Sequence, residues 1–416
     1  MTQRYDTYKD SGVQWLGEIP GHWKTLLNGI LFIEDVRKPE TDDIPLSLSQ
    51  VDGVIPTDEM KESSLKTSSY DNWKRVIVND LVLNRFKAHL GVMFASNYVG
   101  MVSFHYGVFK AKMDLVPKYY EYLYHTNIYR FIYADASKGM TVGLQNLSNT
   151  SFYNVRAIYP PKDEQHSIVS FLDAKCGKID EWVNKKQKEV EHLQELKQRV
   201  IADAVTRGLN PHVKMKATNI PWIKEIPEHW DMSKISSHFR QRNEKVSDKD
   251  YPALSVSKQG VTPQLDNVAL SNAEGTSRKL VKVGDYAVNS RSDRKGSCGV
   301  SKYEGSVSLI TIVLEPFNID GEYVHYLFRS NPWVEEFYRN GRGIVADLWT
   351  TNYQMMKSMY IPVPPLSEQK QIVSYLDAKC AKIDKLIANI TKEIECIKEY
   401  KQRLISDVVT GQIKVC

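Results

Sequence analysis

The sequence predicts an α+β chain: two similar mixed α+β domains separated by two long helices, packed antiparallel as a coiled coil. Three observations predict this. First, positions 160–206 and 364–410 align without a gap at an offset of 204 and share 26 of 47 residues. Second, both copies carry apolar residues at helical spacing, with Lys, Glu and Gln on the remaining faces. Third, the stretches 24–159 and 231–363 hold short β-type runs between turn signals, such as Arg75–Val78, Leu81–Leu83 and Ser308–Leu314.

The elements follow in chain order. Trp15-Leu16-Gly17-Glu18-Ile19-Pro20-Gly21-His22-Trp23 returns as Trp222-Ile223-Lys224-Glu225-Ile226-Pro227-Glu228-His229-Trp230, so each domain opens on the same turn. His22 and His229 are read as structural members of that turn. Weaker echoes continue inside the domains, with Pro45, Gly53 and Pro56 against Pro252, Gly260 and Pro263, and Asp80 and Asn84 against Asp285 and Asn289. Tyr119–Tyr124 and Tyr323–Phe328 form aromatic helical patches, read as packed core rather than base-stacking platforms. Each Pro-Pro pair, at 160–161 and 364–365, ends a domain and precedes a helix start. Asp163 and Ser367 are the expected N-caps, with Glu164 and Glu368 in the first turn.

The expected first stripe is Ile179, Val183, Lys186, Val190, Leu193, Leu196, Val200 and Ala204. The second is Ile383, Ile387, Ile390, Ile394, Ile397, Tyr400, Leu404 and Val408. Lys186 against Ile390 leaves a polar position in the seam, a device that sets register. Gly177 is expected to interrupt the first helix, which would leave Lys178 to about Thr206, roughly 43 Å of helix. The resulting divisions are 1–159, 160–209, 210–363 and 364–416.

Composition narrows the class. A chain of 416 residues, 42% hydrophobic and 25% charged, is globular and multidomain. No apolar run approaches a membrane span, and the first residues do not form a signal peptide. The five cysteines form no C-x-x-C pair, which favours free thiols and a cytoplasmic location. Motifs for ATP binding, zinc hydrolysis or a two-metal nuclease are missing from the sequence. Asn331-Pro332-Trp333 lacks the second proline of an adenine methyltransferase motif and is read as a helix start. The expectation is a chain without a catalytic centre.

The doubled Pro-Pro-x-x-Glu-Gln…Leu-Asp-Ala-Lys…Lys-Ile-Asp helix and the repeated opening turn resemble the specificity subunit of Type I restriction–modification enzymes. The duplication covers nearly the whole chain. The resemblance implies two target recognition domains, each reading one half of a bipartite double-stranded DNA target. It also implies two copies of a methyltransferase subunit and a nuclease and translocase subunit as partners, and no membrane partner. S-adenosylmethionine, ATP and Mg would then belong to the partners, with no cofactor in this chain. An enzyme and a stand-alone protein adaptor are the alternatives.

Candidate DNA-binding residues fall on loops that recur in both halves. Asn84, Arg85, Lys87 and His89 lie on one loop after a strand-like run, and Asn289, Arg291, Arg294 and Lys295 on its counterpart. Lys138 and Thr141 pair with Arg342 in a second set, and Ser49 and Gln50 with Lys258 and Gln259 in a third. Arginine reads guanine with two hydrogen bonds, asparagine and glutamine read adenine, and lysine neutralises phosphate.

Overall fold

The computed structural model describes residues 3–60, 70, 72–137, 146–264, 278–342 and 349–415. They fall into two compact units, one running up to Lys186 and resuming at Lys392, the other spanning Gln187–Thr391. Two long helices, Lys162–Arg207 and Leu366–Val409, each contribute one part to either unit.

The helices are longer than the sequence implied. Gly177 does not interrupt the first, because a lone helical glycine costs only about 1 kcal/mol and buried Leu172 and Cys176 flank it. Asp163 and Ser367 are not N-caps. Helix starts at Lys162 and Leu366, and the Pro161 and Pro365 carbonyls accept the first bonds, from the Gln165 and Gln369 amides. The prolines are already restricted in φ, so the chain enters the helix one or two residues earlier.

Within the first unit the helices run antiparallel. Lys401 donates to Asp180 at 2.7 Å, and Ile168, Leu172 and Cys176 share a core with Leu404, Ile405 and Val408. The second unit repeats the arrangement, with Lys197 on Asp384 at 2.7 Å and Ile201, Ala204 and Val205 sharing a core with Ile372, Leu376 and Cys380. The stripe needs one correction at each copy. Leu196 and Tyr400 are exposed, and the neighbouring Lys197 and Lys401 face inward. Four-residue steps from Leu193 and Ile397 keep the face aligned there, and each lysine reaches a carboxylate on the other helix.

Each unit is built on a four-stranded antiparallel sheet with the same strand order. In the first the order is Phe32–Glu34, Tyr106–Ala111, Leu81–Asn84, Met93–Ala95. In the second it is Phe239–Arg242, Thr311–Pro316, Tyr286–Asn289, Cys298–Val300. Strand alternation divides the side chains between two cores. Leu81 and Leu83 face the core that includes the helices, whereas Val82 faces a second one with Val54, Val76 and Val108. Tyr286 and Val288 against Ala287 repeat this division. The expected run Ser308–Leu314 is two strands, Gly305–Ser308 and Thr311–Pro316, reversed at Leu309-Ile310. Helices Pro117–Tyr124 and Gly321–Arg329 bury Tyr119, Tyr120, Tyr124, Tyr323 and Phe328 as core. Pro332 sits in the first turn of helix Asn331–Arg339, as its sequence implied.

The repeated motifs meet where each long helix begins. Buried Gln165 donates to the Pro160 carbonyl at 2.9 Å and accepts from the Val116 amide at 2.8 Å. Gln369 does the same with Pro364 and Asp320, both at 2.8 Å. Glu164 receives His22 at 2.6 Å, the Trp23 indole at 2.9 Å and the Tyr5 hydroxyl at 2.9 Å. Glu368 receives His229 at 2.8 Å, while the buried Trp230 indole N–H has no hydrogen-bond partner among the described residues. Asp173 and Asp377 of the repeated Leu-Asp-Ala-Lys accept from Tyr122 and Tyr326, both at 2.6 Å. The other helix ends at the same junction. Gly411 closes the second helix with φ 78°, and a Cβ there would lie 2.4 Å from Pro20 Cδ and 2.9 Å from the Trp23 ring. Gly208, φ 74°, takes the equivalent place beside Trp230.

Burial alone would raise the Glu164 pKa, but hydrogen bonds from Trp23, His22 and Tyr5 outweigh it and hold the carboxyl below the usual range. Its stabilising contribution is therefore complete above the unfolded value, near pH 4.3, and is lost as pH falls through the lowered folded value. Glu164→Gln should cost about 1–3 kcal/mol at neutral pH. That gap should close on acidification, read as hydrogen-exchange protection of the first unit; a gap independent of pH would show that the carboxylate charge contributes nothing.

Candidate nucleic-acid interface

The loops that follow the central strands open and close in the same way. Asn84 ends its strand and its side-chain oxygen accepts from the Phe86 and Lys87 amides at 3.1 and 3.2 Å. Asn289 accepts from the Arg291 amide at 3.2 Å. A short 3-10 turn follows in each, Ala88–Leu90 and Ser292–Arg294, and each loop leaves through a glycine at φ 73°, Gly91 or Gly296. Asparagine favours such turns and glycine tolerates the left-handed exit. At an offset of 205, Arg85 thus corresponds to Ser290 and Phe86 to Arg291.

The second set of candidate residues joins the first. Arg342 exchanges two backbone hydrogen bonds with Thr350, both 3.1 Å, and the Ser292 amide donates to Trp349 at 2.8 Å. The Thr351 amide donates to Ser290 at 3.0 Å, and in the first unit the Leu147 amide donates to Arg85 at the same distance. Asn289, Arg291, Arg294, Lys295 and Arg342 therefore gather on one end of the second unit's sheet. Lys138 and Thr141 lie outside the described residues. The third set occupies hairpin turns. Ser49 Oγ accepts from the Val51 and Asp52 amides, and Ser257 Oγ from that of Gln259. Gln50, Lys258 and Gln259 are exposed beyond those turns.

Charge is distributed unevenly among the candidates. Arg85 donates to Glu34 at 2.8 Å with its side chain mostly buried, and Lys74 reaches the same carboxylate at 2.8 Å. Asn149 also donates to Glu34. Burial would raise the Glu34 pKa, but the Lys74 and Asn149 hydrogen bonds and the nearby Arg85 charge bring it below its ordinary value. Arg291 is held by Asp293 in a two-pronged pair at 2.9 and 3.0 Å, Arg294 approaches the same carboxylate at 3.8 Å, and Lys295 pairs with Glu335 at 3.0 Å. Lys87 and Arg342 are exposed. His89 is half-buried with Nδ1 enclosed.

Several members of this surface escaped the sequence reading. Asp293 sets the posture of both arginines. The Arg130 guanidinium donates to the Leu90 carbonyl at 2.9 Å and ties down the first loop. A groove beside the second loop is lined by Trp222, Ser292, Asp293, Lys295, Arg339 and Trp349. Phe86, an exposed phenyl group between two cationic residues, was the available signal. Among the described residues no group of three or more His, Cys, Asp or Glu is placed to hold a metal ion, and no helix is long and apolar enough to cross a membrane.

The family model described as the Type I restriction modification DNA specificity domain matches residues 41–192 and 227–396, one match to each half. The chain belongs to this family. It is 25% identical over 324 residues to the putative type I restriction enzyme MjaX specificity subunit of Methanocaldococcus jannaschii, covering 73% of this chain and 70% of that protein. It is 23% identical over 295 residues to the MjaVIII specificity subunit of the same organism, covering 66% and 65%. Among solved structures, a chain of a type I R-M system superposes with a TM-score of 0.71 at 16% identity, over 95% of this chain and 99% of that one. The HsdS subunit from Thermoanaerobacter tengcongensis gives 0.50, also at 16% identity, over 95% and 98%. These likenesses establish the fold of two mixed domains with long helices.

The geometry separates two roles within one loop. Arg85→Ala should destabilise the first unit by about 1–3 kcal/mol, because it strips a partner from a partly buried carboxylate. Lys87→Ala should leave stability within about 0.5 kcal/mol and lower the salt slope of DNA binding by about one. Denaturant unfolding together with binding at several salt concentrations would check both; the opposite pattern would exchange the two assignments.

Proposed function

We propose that each unit reads one half of a bipartite, asymmetric duplex DNA target, and that the long helices set the half-site spacing and dock two methyltransferase subunits. Partner subunits then carry out adenine methylation and restriction, supplying the sites for S-adenosylmethionine, ATP and Mg, while this chain contributes recognition alone.

The observation that carries the reading is the matched loop frame with unmatched side chains. Asn84 and Asn289 build the same turn on the same strand of the same sheet, yet the next positions are Arg85-Phe86-Lys87 in one and Ser290-Arg291-Ser292 in the other. Loops opened by the same asparagine and closed by the same left-handed glycine give both units one mode of approach to a groove, and different side chains give them different base preferences. Asp293 adds an acceptor suited to cytosine N4, and Arg291 reaches guanine once released from it.

Helix geometry supports a spacing role. Between Cys176 and Ile201 the first long helix runs about 25 residues, or about 38 Å. Half-sites one turn of DNA apart lie roughly 34–36 Å from each other. For docking, Phe171 and Trp182 fall on one side of the first helix, eleven residues apart, and Tyr375 and Leu386 occupy the equivalent places on the second. Trp182, Tyr375 and Leu386 are exposed, and Lys186 and Lys379 lie 5.8 Å from the Trp182 and Tyr375 rings. Exposed apolar groups at equivalent places, Trp182 on one helix and Leu386 on the other, suit two copies of one partner.

The chain purified alone should methylate nothing, and co-expression with its methyltransferase subunit should create adenine methylation at one bipartite sequence, mapped across the genome. Methylation by the chain alone would establish an enzyme, and DNA affinity that does not fall as salt rises would favour a protein adaptor. Inserting one heptad near both Gln187 and Thr391 adds about 10 Å of helix, so the spacer should lengthen by up to about three base pairs at about 3.4 Å each, or binding should fail. An unchanged spacer at full affinity would remove the helices from the measurement.

A further inference from the structure

The turn that leads into the strand beside each basic loop is apolar and exposed in both units. In the first unit this is Ser103-Phe104-His105, between strands Gly100–Val102 and Tyr106–Ala111. Phe104 is 52% exposed, and the neighbouring loop adds Phe86 at 41%. The His105 ring lies between them, 3.9 Å from Phe104 and 5.7 Å from Phe86. At an offset of 205 the second unit has Leu309, 41% exposed, and Ile310, 45% exposed. The domains differ elsewhere, yet both carry bulky, partly exposed apolar groups at this position.

Pairing places these tips beside the candidate base-reading loops. Tyr106 is the cross-strand partner of Asn84, and Thr311 that of Asn289, so each tip emerges next to the asparagine that starts a basic loop. The tips are also held from beneath. Lys74 donates to the Tyr106 carbonyl at 2.8 Å and Lys279 to the Thr311 carbonyl at 2.9 Å, the same residue at the same offset. A lysine on the carbonyl of the first strand residue in both units fixes the exit of the tip, so the exposed side chains are presented on a braced backbone.

We infer that Phe104 with His105 in one unit, and Leu309 with Ile310 in the other, are specificity elements that make apolar contact with base edges in the DNA groove. The chemistry fits the surroundings. Flanking Lys87 and Arg294 bring a polyanion to this end of each sheet, and the thymine methyl group and the C5 edge of cytosine are the apolar features of the major groove. Phosphate contacts cannot distinguish sequences, whereas a bulky apolar tip distinguishes a methyl from a polar edge by burial and fit. This inference rests on the proposed division of the target between the units.

The test uses the chain co-expressed with its methyltransferase subunit, carrying Phe104→Ala or Leu309→Ala. Methylation maps and fluorescence-anisotropy titrations are made on the wild-type target and on duplexes altered in one half-site. Each variant should weaken binding to the intact target by roughly tenfold and relax base preference in one half only, a different half for each variant. The slope of affinity against salt should stay unchanged, because no phosphate contact is removed. Unaltered affinity and preference in both variants would overturn the inference, as would a reduced salt slope or equal loss at both half-sites. Wild-type complex that shows no bipartite preference would instead refute the underlying division of the target.

Discussion

The junction at the start of each long helix is the constraint on which the rest depends. A buried glutamine ties the Pro-Pro turn to the domain, through Val116 in one unit and Asp320 in the other. The preceding glutamate gathers the opening turn onto the helix through His22 and Trp23, or through His229. The end of the opposite helix closes on the same tryptophan through a left-handed glycine, Gly411 or Gly208, and at Gly411 an added Cβ would clash with Pro20. Buried polar groups lose their desolvation cost only when every partner is in place. Three distant segments are consequently obliged to meet, and the antiparallel order of the helices follows from that meeting.

Divergence is tolerated because it is confined to surfaces the junction does not use. The sheet divides its side chains between two cores by strand alternation, and this division is the same in both units. Beyond the end of the central strand both units share the asparagine turn and the left-handed glycine, while the residues between them differ. Such a frame presents new side chains at an old angle. A DNA specificity family needs that separation, since changing a base preference must not disturb the helices.

The candidate site was partly legible. Asparagine and glycine punctuation marked the loops at 84–91 and 289–296, and their recurrence singled them out. What Arg85 does was not legible, because its partner Glu34 is 51 residues away and on another strand. Nor was it evident that Arg342 would join Arg291 through Thr350, or that Asp293 would hold two arginines. The run Ser308–Leu314 looked like one strand because Leu309 and Ile310 are β-formers. Only pairing with the neighbouring strands shows that they form a turn.

By itself the sequence determined that two copies of one frame exist, that long helices follow each domain, and that the repeated motifs bracket the dissimilar stretches. Identity at fixed offsets and helical periodicity are local properties, so they can be read without coordinates. Tertiary structure alone decided where the helices begin, that Lys197 and Lys401 rather than Leu196 and Tyr400 face the seam, and which cations are bound to carboxylates or remain exposed. Those outcomes depend on side chains far apart in sequence competing for the same carboxylate or the same buried volume, and that competition is settled only when the chain has folded.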